Sequence, residues 1–336
     1  MLVSIGIIAL NEEDYLPALW QEILKQDYNL EEIELVLVDS GSTDRTLELM
    51  EEFSHQKVFH NVQVLSNPKR TQSSGWNVVI DHYSGDVLLR LDAHASIPED
   101  FIRKNVENIQ DGAAVSGGKR PAIMSEITPY SQMLLAAENS LFGSGIAPYR
   151  TSSGRRPVKS LFHPMFRREV IDQVGHYDEK LIRTEDNEYN YRVSQAGYDL
   201  IYDDSVISYQ YARPDLQRMM QQKFGNGEWI AKTLFVCKPC ISIFHLVPFA
   251  FVMAMLLSFI LLHWTSWPVF LVMGSYVVAN LLMSFLALRH MEFHPVNLLL
   301  PIVFFLLHVS YGVGSLVGFI QTPKFLKDYR QSSKKN

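Results

Sequence analysis

The sequence predicts an α/β protein: a mostly parallel sheet flanked by helices, followed by a C-terminal transmembrane helical region. Three observations predict it. Short apolar runs alternate with helix-like stretches through roughly the first 200 residues. Polar clusters stand at the ends of several of those runs. Beyond residue 240 the chain changes character and carries three long apolar stretches.

Residues 2–9 form an Ile-rich strand that stops at ALNEEDYLP, whose acids suit the first turn of a helix running to about Lys25. IELVLVDSGSTDRTLELMEEF repeats the unit, with a strand over 33–38, a polar turn, and a helix to about Phe53. NVQVLSNPKR supplies a third strand and loop, and the helix of TQSSGWNVVIDHY leads into the strand of GDVLLRLDAHAS. GAAVSGGKRP reads as a further strand and turn, SQMLLAAENSLFG as a helix, and TSSGRRPVKS as a mobile basic loop. In LIRTEDNEYNYRVSQAGYDLIYDDS, acids enter a helix that closes at Gly197, and a last strand follows. Near-continuous apolar strands joined by helices mean a parallel sheet covered on both faces. Ligands of such sheets sit beyond the carboxyl ends of the strands. Asn11–Glu12, Asp39–Asp44 and Asp92–His94 all fall at such ends.

Composition divides the chain into a globular domain over 1–212, an interfacial segment over 213–240, transmembrane helices over 241–321, and a basic tail over 322–336. The interfacial segment mixes Met, Phe and Trp with Lys and Arg, as a membrane-surface helix does. The apolar stretches, at about 241–262, 268–288 and 298–320, each approach the ~20 residues that cross a bilayer. Two or three crossings are open. The N-terminus lacks the basic region of a signal peptide, so the globular domain is expected in the cytosol of a plasma-membrane, multi-pass protein. Three crossings would then put the tail outside, whereas Lys324, Lys327, Arg330, Lys334 and Lys335 favour the cytosol. Gly312, Gly314 and Gly318 would let helices approach closely. His308 and Tyr311 lie inside the last stretch, as packing or ligand-contact residues. A net charge of −6 argues against a nucleic-acid partner. Cys237 and Cys240, in CKPC, have no further ligand or thioredoxin-like context and are expected to be reduced thiols.

Asp92 and His94 are one residue apart at a strand end, so both side chains point to one face. A carboxylate and an imidazole there suit a divalent cation with open positions, although an isolated pair of this kind is also ordinary surface chemistry. Glu185 and Asp186 open a helix, where they would favour its dipole or serve as a general base. Asp44 or Ser42 caps a helix, while Asp39, on a buried strand, suits a hydrogen bond to a polar ligand such as a base. No glycine-rich phosphate loop occurs, so nucleotide phosphates would be met by metal and by basic groups such as Lys69 and Arg70.

In order and spacing, IIALNEEDYL, VLVDSGSTDRT, NPKRTQSSGWNVVI, LRLDAHASIPEDFI and TEDNEYNYRVSQAGY resemble the motifs of inverting family-2 glycosyltransferases of the GT-A (nucleotide-diphospho-sugar transferase) fold. DAHASIP, FHPMFRREV, QQKFGNG and HVSYGVGSLVG resemble the membrane-anchored succinoglycan-biosynthesis glucosyltransferase branch. QQKFGNGEW stands where processive synthases carry Q-x-x-R-W, which favours adding one sugar per encounter.

The resemblance implies a nucleotide-sugar site at Ala9, Asn11, Glu12, Asp39, Arg70 and Asp92, with a UDP-sugar the foremost donor. It implies a divalent cation, Mg²⁺ or Mn²⁺, on Asp92 and His94, with the imidazole tilting the choice towards Mn²⁺. Asp186 takes the part of catalytic base, Glu185 supports it, and His163 and Gln222 are candidate acceptor contacts. The loop around 149–160, with Arg155 and Arg156, would fold over the donor. The membrane region implies a lipid-linked saccharide acceptor, as in exopolysaccharide or capsule synthesis. Transfer to a polyprenyl phosphate is the alternative, and a nucleotidyltransferase or an inactive membrane scaffold are alternatives of another class.

Overall fold

The computed structural model describes residues 1–143, 153–213 and 215–332. They form two compact units, one from Met1–Pro121 and Pro148–Tyr211, the other from Ala122–Ala147 and Ala212–Asn336.

The first unit opens with three strand–helix repeats: β1 (Val3–Ala9), α1 (Leu16–Leu24), β2 (Ile33–Asp39), α2 (Thr46–Ser54), β3 (Asn61–Ser66) and α3 (Gln72–His82). β4 (Val87–Asp92), β5 (Ala95–Ser96), α4 (Phe101–Gln110) and β6 (Val115–Lys119) follow. β7 (Ala122–Ile123) and α5 (Pro129–Asn139) belong to the second unit. The chain returns with β8 (Arg156–Val158), β9 (Met165–Arg167), α6 (Arg168–Val174), α7 (Glu185–Gln195), β10 (Leu200–Ile207) and β11 (Tyr209–Tyr211).

Strand order is β3-β2-β1-β4-β9-β6-β10-β8. β3, β2, β1 and β4 are mutually parallel, and β10 is parallel to β6. β9 runs antiparallel between β4 and β6, and β8 antiparallel on the edge beside β10. Thus part of the basic segment expected to be a mobile loop is an edge strand, held by pairing with residues 200–202. Its residues 149–152 lie outside the described residues. Every residue of β2 and β4 is buried, as strands covered on both faces require. Leu35 and Leu37 turn to a core with Leu16, Trp20 and Phe101, whereas Val36 and Val38 turn to one with Trp76, Val79 and Tyr189. Helices therefore cover both faces. The register aligns Ala9 with Asp39, Asp39 with Ser66, and Ile8 with Asp92, so the predicted binding residues share one edge of the sheet.

The second unit adds α8 (Leu216–Thr233), α9 (Val247–Leu261), α10 (Trp267–Leu288) and α11 (Leu300–Ser332). Three segments, Ile243–Leu261, Trp267–Leu288 and Pro295–Gln331, are long and apolar enough to cross a membrane. α8 lies along α11. A methyl group on Gly227 would overlap the Tyr311 carbonyl oxygen, and one on Gly314 the Phe224 carbonyl oxygen, so both glycines are needed for this approach. Gly318 meets Glu228 in the same way, and Gly312 meets Pro248 of α9. Met133 and Leu134 of α5 share a core with Met219, Val303 and Phe304. Two polar clusters inside the unit are internally paired. Lys223 Nζ lies 3.0 Å from Glu138 Oε2, and the His308 ring joins the Tyr276 hydroxyl at 2.9 Å to the Phe142 carbonyl at 2.7 Å. Cys237 and Cys240 form a disulfide, contrary to the reduced thiols expected from the sequence; the 3₁₀ turn Lys238–Cys240 brings their Cα atoms to 5.5 Å, within bonding range.

Candidate active site

The loops after β1 and β2 are laced together. Asp39, buried at the end of β2, accepts the backbone N–H groups of Gly41 at 2.9 Å and Ser42 at 3.2 Å. Asn11 Oδ1 accepts from the Thr43 backbone at 2.8 Å, and the Glu12 backbone donates to Thr46 Oγ1 at 2.8 Å. Asp44 Oδ1 takes the Thr46 N–H at 3.0 Å from just before the helix, but the N-cap itself is Arg45, which makes no side-chain cap bond, so the cap expected at Asp44 or Ser42 stands at neither. Arg70 reaches the same turn, donating to the carbonyls of Ser40 at 3.1 Å and Gly41 at 2.6 Å. Lys69 pairs with Glu179.

At the end of β4, His94 Nδ1–H donates to Glu12 Oε1 at 3.0 Å. That fixes the tautomer and leaves the Nε2 lone pair facing Gln210 of β11, whose amide nitrogen is 3.1 Å away and also 3.4 Å from Asp92 Oδ2. One amide hydrogen goes to each acceptor. Asp92 and His94 thus converge on a single point, and a metal-ligating histidine commonly has a carboxylate on its other nitrogen, as here. Among the described residues no three His, Cys, Asp or Glu side chains converge as an ion's ligands. A cation at this point would have two protein donors and take the rest from its substrate and water.

A second cluster lies beneath. Arg90 precedes Asp92 by two residues on the same strand, its guanidinium 4.7 Å from the Trp76 ring and 5.7 Å from the Tyr177 ring. It donates to Glu185 Oε1 at 3.3 Å and reaches the Tyr177 hydroxyl at 3.5 Å. Burial disfavours the Arg90 charge, but Tyr177, Glu185, Asp92 and Asp186 outweigh that and strengthen its hold on the proton. Burial first, then repulsion from Asp186, pushes the Glu185 carboxyl up to about 7, against the pull of Arg90. Burial would also raise Asp92, but His163, His94 and Arg90 hold it below the usual carboxylate range. Burial keeps His163 below the ordinary imidazole value. Arg90, His163, Tyr177, Asp186 and Asn190 line one small cavity, so the predicted base opens onto the same space as the residues behind Asp92.

Among the described residues, four non-glycine residues have left-handed backbone: Asn11 (φ 58°), Arg70 (58°), His163 (46°) and Thr184 (66°). Such strain costs on the order of 1–3 kcal/mol each and gathers at functional sites. Three are predicted site residues and the fourth immediately precedes Glu185. Ala9 is buried at the end of β1. Gln222 lies on α8 of the second unit, partly exposed. The sequence reading missed Arg90, Tyr177, Ser208 and Gln210. Arg90 alone carried a signal, since alternation along a strand puts it on the face of Asp92.

The model of the family described as Glycosyl transferase family 2 matches residues 4–175. A dolichyl N-acetyl-α-D-glucosaminyl phosphate 3-β-D-2,3-diacetamido-2,3-dideoxy-β-D-glucuronosyltransferase of Methanococcus voltae is 28% identical over 95% of this chain and 97% of its own. The succinoglycan biosynthesis protein ExoA of Rhizobium meliloti is 30% identical over 73% of this chain and 74% of its own. Among solved structures, the mannosyltransferase PcManGT of Pyrobaculum calidifontis, in complex with GDP-Man and Mn²⁺, superposes with a TM-score of 0.57 at 16% identity, over 94% of this chain and 86% of that one. Nucleotidyl transfer and an inactive scaffold drop away. With its predicted binding residues on one sheet edge and the family's sequence over half its length, this chain belongs to glycosyl transferase family 2 and is a glycosyltransferase with apolar helices suited to a membrane.

Proposed function

We propose that the protein moves a hexose, with inversion and one residue per encounter, from a nucleotide sugar to a lipid-linked saccharide in exopolysaccharide or capsule synthesis. The donor is a UDP-sugar foremost. One observation carries the reading: the Asp92–His94 pair and the Glu185–Asp186 pair are both built around Arg90 and His163. The relatives' names, one a dolichyl-linked saccharide transferase and one a succinoglycan biosynthesis protein, support the lipid-linked acceptor.

Asp186 takes the proton from the acceptor hydroxyl as its oxygen attacks the anomeric carbon. The bond from that carbon to the diphosphate breaks on the opposite face, and the electron pair leaves with the nucleoside diphosphate. A bound divalent cation, Mn²⁺ in preference to Mg²⁺, supplies charge neutralisation for the diphosphate. Asp92 and His94 would hold it at the point Gln210 now occupies. Asn11, Glu12, Asp39 and Arg70 shape the nucleotide pocket at the ends of β1 and β2. Glu185, tied to Arg90, orients Asp186, and Gln222 meets the acceptor. The catalytic unit works on the cytosolic face of the plasma membrane.

The test uses the full chain in membranes with radiolabelled nucleotide sugars, with and without EDTA. Label should enter the lipid fraction and EDTA should stop it. Asp186→Asn should lower transfer by about 100- to 10,000-fold while donor binding persists. No label in lipid with any donor would overturn the reading, and loss of donor binding in the variant would make Asp186 structural.

A further inference from the structure

Resting on that reading of Asp92, we propose that His163 is a positioning residue: its Nε2–H, held from behind by Ser208, steers the carboxylate that grips the cation. His163 is 2% exposed, and its Nε2 lies 3.6 Å from Asp92 Oδ2. This buried nitrogen makes no hydrogen bond within 3.5 Å, and the acceptor it faces, just beyond that reach, is the Asp92 carboxylate. Its Nδ1 lies 2.9 Å from Ser208 Oγ. The hydroxyl can donate or accept, but the carboxylate can only accept while ionised. The negative charge of Asp92 therefore selects the Nε2–H tautomer, and Nδ1 accepts from Ser208.

The ring has little freedom to do otherwise. Its own backbone is left-handed, and the next residue, Pro164, accepts the Arg90 backbone N–H at 2.9 Å, fastening the segment to β4 two residues before Asp92. Gln210 also reaches Asp92 Oδ2, but it stands where the cation would bind and must yield. His163 need not, because a carboxylate oxygen has a second lone pair. It is therefore the group that stays on the carboxylate when the ion arrives. Partners of this kind orient metal ligands, and losing one commonly costs 10- to 100-fold in metal affinity.

The experiment is Mn²⁺ binding to the full chain in detergent with UDP, followed by electron paramagnetic resonance, with thermal melting alongside. His163→Phe keeps a ring and removes the N–H; its Mn²⁺ affinity should fall about 10- to 100-fold while melting and metal-free UDP binding hold. His163→Gln, which restores an N–H donor, should recover part of the loss. Ser208→Ala should weaken Mn²⁺ in the same direction by a smaller factor, and it decides the matter if His163→Phe does not fold. Folded variants that bind Mn²⁺ as the wild type does, while Asp92→Asn loses it, overturn the role of His163 alone. Equal binding by wild type and Asp92→Asn overturns the reading of Asp92 and this inference with it.

Discussion

Glu185 is buried beside both an arginine and another acid, and its ionisation bears directly on stability. Its ordinary value is 4.5, and the fold pushes it up to about 7. Between those values the unfolded chain has released the proton and the folded chain still holds it, so stability falls as pH rises through the window. At about 1.4 kcal/mol per unit, the total is on the order of 3 kcal/mol. Glu185→Gln should flatten that slope, gaining on the wild type at pH 8 relative to pH 5 in detergent melting experiments; parallel curves would mean that Glu185 is ionised throughout. The acidic residues themselves were legible because charge at a strand end or helix start is conspicuous. Their setting was not. Tyr177 and Gln210 come from segments distant in sequence from Asp92, and their roles exist only once β4, β11 and α7 are assembled.

At the level of elements, strands buried on both faces were the most readable, since β2 and β4 are mainly apolar, interrupted before their terminal aspartates only by Glu34 and Arg90. β8 and β9 were not. Three residues each, they are too short to show a period, and β9 holds its place only by pairing with strands on both sides. The same contrast holds among helices. Glycines in the last apolar stretch announced close packing, but not the partners, which proved to be α8 for Gly314 and Gly318 and α9 for Gly312. Gly314→Leu should force α8 off α11 and lower the detergent melting transition, with a loss of about 1–3 kcal/mol for an overpacked contact. A surface change such as Gln221→Ala on α8 should leave melting unchanged. Equal melting of both variants would show that the contact with Phe224 is dispensable.

Over the whole chain, the three apolar segments are not equivalent. Only 11% of the apolar window is buried inside the protein in each of Ile243–Leu261 and Trp267–Leu288, against 33% in Pro295–Gln331. The difference reflects α5, whose Met133 and Leu134 share a core with Val303 and Phe304, and α8, which runs beside α11 in the same direction, Phe224 against Gly314 and Glu228 against Gly318. Gln217, Arg218 and Gln221 of α8 are exposed. Such groups cannot face hydrocarbon without large cost, so the outer face of α8 meets water or headgroups and the flank of α11 beneath it is kept from lipid. Parity then follows. If α9 and α10 alone pass through the bilayer, the count is even, the two ends of the polypeptide share a compartment, and the basic tail obeys the charge rule that an odd count would break. A green fluorescent protein fused after the tail should glow, and an alkaline phosphatase there should stay silent; the reverse pattern would make α11 a third passage.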